Sequence, residues 1–147
     1  MMDLMIRQLR GDEGVRARAY RDSLGLLTIG VGRLIDPSRP DSGLRPAEID
    51  QLLTNDIVDR VLALNAALPW FATLDDVRKG ALVNMAFQLG TPGLLAFKVT
   101  LGLMAAGDWV GASDAMLKSK WATQTPERAR RMAAQIRTGT WQFAEGV

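Results

Sequence analysis

The sequence predicts an α+β protein, predominantly helical, with a small β-hairpin lobe joined by a long helix to a helical lobe. Three observations predict it. Near the start the apolar pattern changes from helical spacing at Met5, Ile6 and Leu9 to alternation, with Val15, Ala17 and Ala19 between Arg16, Arg18 and Tyr20. Pro46 then opens a run in which Ile49, Leu52, Leu53, Ile57 and Val61 recur at helical spacing. Beyond it the helical period persists and is punctuated only by glycines and prolines.

The elements follow in order. Gly14 is a left-handed stop for a first helix that ends at Glu13. A hairpin follows, its turn at Arg21-Asp22-Ser23-Leu24-Gly25 and its return strand in the apolar run from Leu26 to Ile29; Gly30 and Gly32 then allow tight bends. Asp36 to Gly43, rich in Pro and Ser, reads as a loop, so the small lobe (about 14–45) should hold a two-stranded hairpin plus an irregular turn. A helix over about 45–66 links it to the helical lobe (about 46–147), on which the N-terminal helix should pack, all within a single domain spanning 1–147.

Pro69-Trp70-Phe71 ends the linking helix. Thr73-Leu74-Asp75-Asp76 has the form of a capping box with Asp in place of Glu, opening a helix over about 74–89 with Val77, Ala81, Leu82, Met85 and Phe87 in the core. Gly90, Pro92 and Gly93 break it, and short helices should follow near 94–97, 99–106 and 109–117, limited by Gly102, Gly107 and Gly111. Thr125-Pro126 starts a last helix with Ala129, Met132, Ala133 and Ile136 inward and Arg128, Arg130 and Arg131 outward.

Composition removes several chemistries. Among 147 residues, 48% hydrophobic and 23% charged, there is neither cysteine nor histidine. That excludes a thiol nucleophile and a disulfide framework, and a zinc site would have to be built from carboxylates alone. A net charge of +2 suits an anionic polymer but is too small for a nucleic-acid binder. The opening residues do not form a secretory signal, because Asp3, Arg7 and Arg10 interrupt any apolar region, and no window reaches the ~18 apolar residues of a bilayer span.

Glu13 at a helix end, Asp22 in a turn and Thr28 on the return strand can face one cleft, and two carboxylates across a cleft suit glycoside hydrolysis. On spacing alone the plainer reading, a helix end and an Asx-type turn, has the advantage. Asn84 and Gln88 lie four apart and can share a helical face, either as a buried hydrogen-bonded pair or as contacts to sugar amides. Trp121 and Trp141 can stack on sugars, but a lone tryptophan is more often core packing.

The pattern Glu13-Gly14, Tyr20-x-Asp22, Gly25-x-x-Thr28-Ile29-Gly30-x-Gly32 resembles the start of the T-even-type phage lysozymes, the muramidases of glycoside hydrolase family twenty-four. The likeness continues in Leu74-Asp75-x-Val77-Arg78, Asn84-Met85-x-Phe87-Gln88-x-Gly90, Gln124-Thr125-Pro126-x-Arg128-Ala129-x-Arg131 and Arg137-Thr138-Gly139-Thr140-Trp141, in the family's order. The resemblance implies a lysozyme-like fold and an endolysin-type, bacteriolytic enzyme. It would cleave the β-1,4 bond between N-acetylmuramic acid and N-acetylglucosamine in peptidoglycan with inversion and without a cofactor or metal.

By the same resemblance Glu13 is the general acid, Asp22 the second catalytic carboxylate and Thr28 the hydroxyl beside the attacking water. Leu34, Phe87 and Gln88 would bind substrate, and Arg128 and Gly30 would support the site. Arg128 would pair with Glu13, so that burial or substrate must offset a cation's preference for the charged acid. Arg33, where a well-studied member has histidine, would pair with Asp56. The expected partners are peptidoglycan and a holin-like membrane permeabiliser. The enzyme should be a monomer without nucleic-acid partner or stable membrane insertion, held in the host cytoplasm until release to the periplasmic wall. A wall-binding module without activity is the competing reading, against which the intact Glu13, Asp22 and Thr28 stand.

Overall fold

The computed structural model of the protein describes residues 1–146, and its elements are seven helices and one small sheet. They are α1 (Met2–Glu13), β1 (Arg16–Arg21), β2 (Leu27–Gly30), β3 (Arg33–Leu34), α2 (Pro46–Ala67), α3 (Asp76–Leu95), α4 (Lys98–Ala105), α5 (Trp109–Leu117), α6 (Lys120–Gln124) and α7 (Pro126–Thr138). The chain divides into two compact units, Met1–Leu52 and the residues from Leu53 onward. The division falls inside α2, and α1 lies in the same unit as the sheet.

In the first unit the sheet is antiparallel in the order β1-β2-β3. The third strand corrects the expected two-stranded hairpin. Gly30 and Gly32, at φ 69 and 72, reverse the chain around Val31, so that Arg33 and Leu34 come back opposite Ile29 and Thr28. Tyr20 pairs with Thr28 and Arg21 with Leu27, but the register slips between Arg16 and Tyr20, which bulges the edge strand.

Only Thr28 and Asp36 are buried among the described residues of this unit. The loop after β3 is wound around Asp36. Its carboxylate accepts from the Leu27 N–H at 2.8 Å, the Ser38 N–H at 3.0 Å and the Ser38 hydroxyl at 2.5 Å. Arg33 does not take Asp56 as its partner. Its guanidinium pairs with Glu48 at 2.7 Å, one turn into α2, and Glu48 also accepts from Arg45 through both side chain and backbone. Glu48 lies 15 residues from Arg33 and within the same unit, whereas Asp56 lies beyond the division.

The second unit has the apolar interior. Leu64, Phe71, Leu82, Met85, Leu94, Met104, Met116 and Ile136 are fully or almost fully buried, and Trp121 joins them. Ala129, Met132, Ala133 and Ile136 face inward along α7, as their spacing predicts. Phe87 does not. It is more than a third exposed, and Ala86 takes the core position instead. Along α2 only Leu64 is buried, while Ile49, Leu52, Leu53 and Ile57 stay exposed.

The cap of α3 is Asp75, not Thr73. Asp75 accepts from the Arg78 N–H at 2.9 Å, while the Thr73 hydroxyl is spent on the Trp70 carbonyl within a 3-10 turn at Phe71–Thr73. The predicted break at Gly90 is a kink (φ 73, ψ 158) after which helix resumes to Leu95, so no separate helix covers 94–97. α4 and α5 stand where the short helices were expected, whereas α6 is an addition, capped by Ser119.

The carboxylates of the first unit make its stability sensitive to acid. Asp36 is lowered from 3.8 to about 2, first by the Ser38 hydroxyl and then by the Leu27 and Ser38 N–H groups. Glu48 is lowered from 4.5 to about 2, first by its hydrogen bond from Arg33 and then by Arg45. A folded pKa below the unfolded one gives stabilisation that is complete above the unfolded value and lost as pH falls through the folded value. Protection of the Leu27 amide, taken relative to its intrinsic exchange rate at each pH, should therefore hold from neutral pH down to about 4.5 and then fall progressively toward about 2. Asp36→Asn and Glu48→Gln should each flatten that profile; an unchanged profile in both variants would remove these contacts from the account.

Candidate active site

Three local structures of the first unit hold Glu13, Asp22 and Thr28. Glu13 is the last residue of α1, and Gly14 (φ 77) ends the helix behind it, with its N–H on the Arg10 carbonyl at 3.1 Å. Eight residues on, Asp22 opens the β1–β2 turn. Its Oδ1 accepts from the Leu24 N–H at 2.8 Å and the Leu26 N–H at 2.9 Å. Its backbone exchanges a further bond with Leu26 at 3.0 Å, and Arg21 closes the turn by donating to the Gly25 carbonyl at 2.8 Å. This is an Asx turn, the plainer reading of Asp22, but such a turn also fixes which way a carboxylate faces.

Thr28 is 4% exposed, a polar side chain buried in a unit with almost no buried residues. Its hydroxyl donates to the Leu26 carbonyl at 3.1 Å, so Oγ1 would meet a water as an acceptor. Leu34 sits directly across from Thr28 on β3, and Gly30 pairs with Arg16 on β1. Five of the expected site residues thus belong to one small sheet and the helix end beside it: Glu13, Asp22, Thr28, Gly30 and Leu34.

Phe87, Gln88 and Arg128 belong to the second unit. Arg128 is not on an outer face. It is half-buried, and it clamps Asn84 by donating from Nε to Oδ1 at 2.8 Å and from Nη2 to the carbonyl at 2.9 Å. Burial, and then Arg131, lower its pKa from the usual arginine value. Asn84 and Gln88 are not bonded as a pair, because Gln88 accepts from the Trp121 indole N–H at 2.9 Å instead. Trp121 is core, 4% exposed, and meets Phe97 edge-on at 6.0 Å.

Two cavities of the second unit use these residues. One, of 520 Å³, is lined by Val83, Asn84, Phe87, Arg128 and Trp141 among others. Arg60 stands 5.8 Å from the Phe87 ring. The other, of 450 Å³, runs past Phe97 and Trp121 between Lys98 and Lys120. Those two lysines were missed from the sequence, although Phe97-Lys98 and Lys120-Trp121 each put a cation beside an aromatic ring. Among the described residues no three His, Cys, Asp or Glu side chains gather as a metal would require.

A family model described as phage lysozyme matches residues 10–137. The chain is 31% identical to probable T4-type lysozyme 1 of Dictyostelium discoideum, over 90% of this chain and 92% of that protein. It is 28% identical to probable T4-type lysozyme 2 of the same organism, over 95% and 97%. It is also 33% identical to the pre-baseplate central spike protein Gp5 of Enterobacteria phage T4, over 92% of this chain but only 28% of that protein.

Trp141 reaches the 520 Å³ cavity because the chain after α7 is pinned. Buried Gln135 donates to the Val77 carbonyl at 2.7 Å and accepts from the Gln142 N–H at 3.2 Å. The indole then lies on Gly80, where a Cβ would stand 2.4 Å from two ring carbons. Gly80→Ala should cost about 0.5–2 kcal/mol of stability, because the half-exposed Trp141 indole must leave this face, a loss partly offset by alanine's helix propensity within α3. Most of that cost should vanish in a Trp141→Ala background, measured by denaturant unfolding of the four proteins; additive losses would separate the two residues.

Proposed function

The chain belongs to the phage lysozyme family and is a muramidase-type peptidoglycan hydrolase; from that premise we propose that Glu13, Asp22 and Thr28 carry the reaction. One observation carries the assignment. Asp22 is held by two backbone N–H groups within a turn whose return strand buries Thr28, and Glu13 ends the helix that feeds the same sheet. Glu13 gives its proton to the glycosidic oxygen as the bond to the N-acetylmuramic acid carbon breaks. A water held by Thr28 and Asp22 attacks that carbon, and its proton passes to Asp22.

Leu34, Phe87 and Gln88 serve as substrate contacts in this reading, with Gln88 offering the amide NH2 that Trp121 does not engage. Arg128 and Gly30 support the site. The groove between Lys98 and Lys120 suits the acidic stem peptides of the polymer.

The enzyme acts as an endolysin. It works as a monomer, waits in the host cytoplasm and reaches the periplasmic wall once a holin-like partner opens the membrane. No single helix among the described residues is long and apolar enough to cross a membrane.

Glu13→Gln keeps the shape of the side chain and removes the acid. It should lower the rate of clearing permeabilised Gram-negative cells by about 10²–10⁴-fold with the unfolding midpoint preserved. Clearing at the parent rate would end the assignment of Glu13. The water-mediated route has its own signature. The first product from the β-linked polymer should be the α-anomer, read by proton NMR at early times, before mutarotation. A β-anomer appearing first would overturn the roles of Asp22 and Thr28 while sparing Glu13.

A further inference from the structure

Among the described residues no hydrogen bond sets the direction of the Glu13 side chain in the way that the Leu24 and Leu26 N–H groups set Asp22, and a glutamate side chain can rotate about three bonds. The turn between β2 and β3 meets it from the side. A Cβ at Gly32 would stand 3.3 Å from Glu13 Oε2, 3.6 Å from Cδ and 3.8 Å from Cγ. The space that a side chain at position 32 would occupy thus lies beside Glu13 from Cγ to its carboxylate.

Other glycines of the first unit supply the control. Gly14, Gly25, Gly30 and Gly43 also have positive φ, yet a Cβ at any of them would meet nothing within 4 Å. Gly30 stands in the same turn at φ 69, against 72 for Gly32. Backbone conformation therefore accounts equally for glycine at both positions. Contact with the acid distinguishes Gly32.

We propose that Gly32 is a positioning residue for Glu13: by carrying no side chain it leaves free the space beside the carboxylate, so that the acid keeps its place. The proposal concerns the same site as the reading of Glu13 as general acid, and its catalytic consequence rests on that reading. A misplacement of about 1 Å at a reacting group costs on the order of 10²-fold in rate. An added methyl at 3.3 Å from Oε2 obliges the carboxylate or the turn to give by a few tenths of an ångström, a fraction of that misplacement.

Two measurements test it. The first leaves the protein unaltered at position 32. In nitrogen–proton spectra of the full chain recorded from about pH 7 to about 3.5, the Gly32 amide should shift with the protonation of Glu13. That component should disappear in Glu13→Gln, while the Gly30 and Gly25 amides show no such component. A Gly32 resonance indifferent to Glu13→Gln would overturn the contact, whatever role Glu13 has in catalysis.

The second measurement compares Gly32→Ala with Gly43→Ala, which share the strain of an L-residue at positive φ. Gly32→Ala should lower kcat at least tenfold beyond Gly43→Ala, with KM changed less than twofold between them. Equal kcat losses would mean that turn strain alone is at work, and the positioning role would be withdrawn. Should Gly32→Ala not fold, the titration of the parent protein still decides. Loss of lysis in Glu13→Gln judges the acid assignment separately, since the amide titration depends on proximity and not on turnover.

Discussion

Asp36 is the constraint on which the small sheet depends. A sheet of three strands, one of them two residues long, has little stability of its own in water without an apolar face to bury. The first unit contains no such core among its described residues; its buried side chains are a threonine and an aspartate. The Asp36 carboxylate takes three hydrogen bonds, and one comes from Leu27, the residue before Thr28. A buried carboxylate is tolerated when its acceptor capacity is filled in this way. It then organises the strands as a buried leucine would organise a larger sheet, but with a direction attached to every contact.

Directionality matters for a site made of short local pieces. Asp22 is aimed by two N–H groups, Thr28 by the Leu26 carbonyl, and β3 is tied to α2 through Arg33 and Glu48. An exposed ion pair contributes little by itself. Here Glu48 accepts from two arginines and from the backbone at the entry of α2, so the pair also fixes where that helix starts. Polar contacts of this kind weaken together when their carboxylates are protonated, and the unit's acid sensitivity is thus a direct result of its having so little apolar interior.

What was legible in the sequence was local. Glu13 before Gly14, Asp22 in a turn and Thr28 on a return strand are decided within a few residues, and the helical periods of α3, α5 and α7 show in their spacing. Features that depend on distant partners were not legible. Arg33 could reach Glu48 or Asp56, two acids on the same helix, and spacing along α2 does not choose between them. Phe87 fits the apolar period of α3 as well as Ala86 does, yet bulk and the cation of Arg60 accompany it on the outside. The third strand was hidden because Arg33-Leu34 is too short to show alternation; only Gly30 and Gly32 hinted that the chain turns back.

The second unit solves the opposite problem, since a core of methionine, leucine and alanine holds helices together without specifying their ends. Buried or half-buried polar side chains supply the ends. Asp75 caps α3 by accepting from the Arg78 N–H, while the Arg78 guanidinium donates to the Ile136 carbonyl near the end of α7 at 2.8 Å and lies 4.2 Å over the Trp109 ring at the start of α5. Arg128 and Gln135 then place Asn84 and the segment bearing Trp141 in the same manner. An apolar interior provides the cohesion, and a few guanidinium and amide groups decide which surfaces are presented. In the first unit the second of these functions remains while the first is almost absent. By that division, substitutions at Asp36, Glu48 and the turn glycines should cost the small sheet more than apolar exchanges of similar volume cost the helical unit.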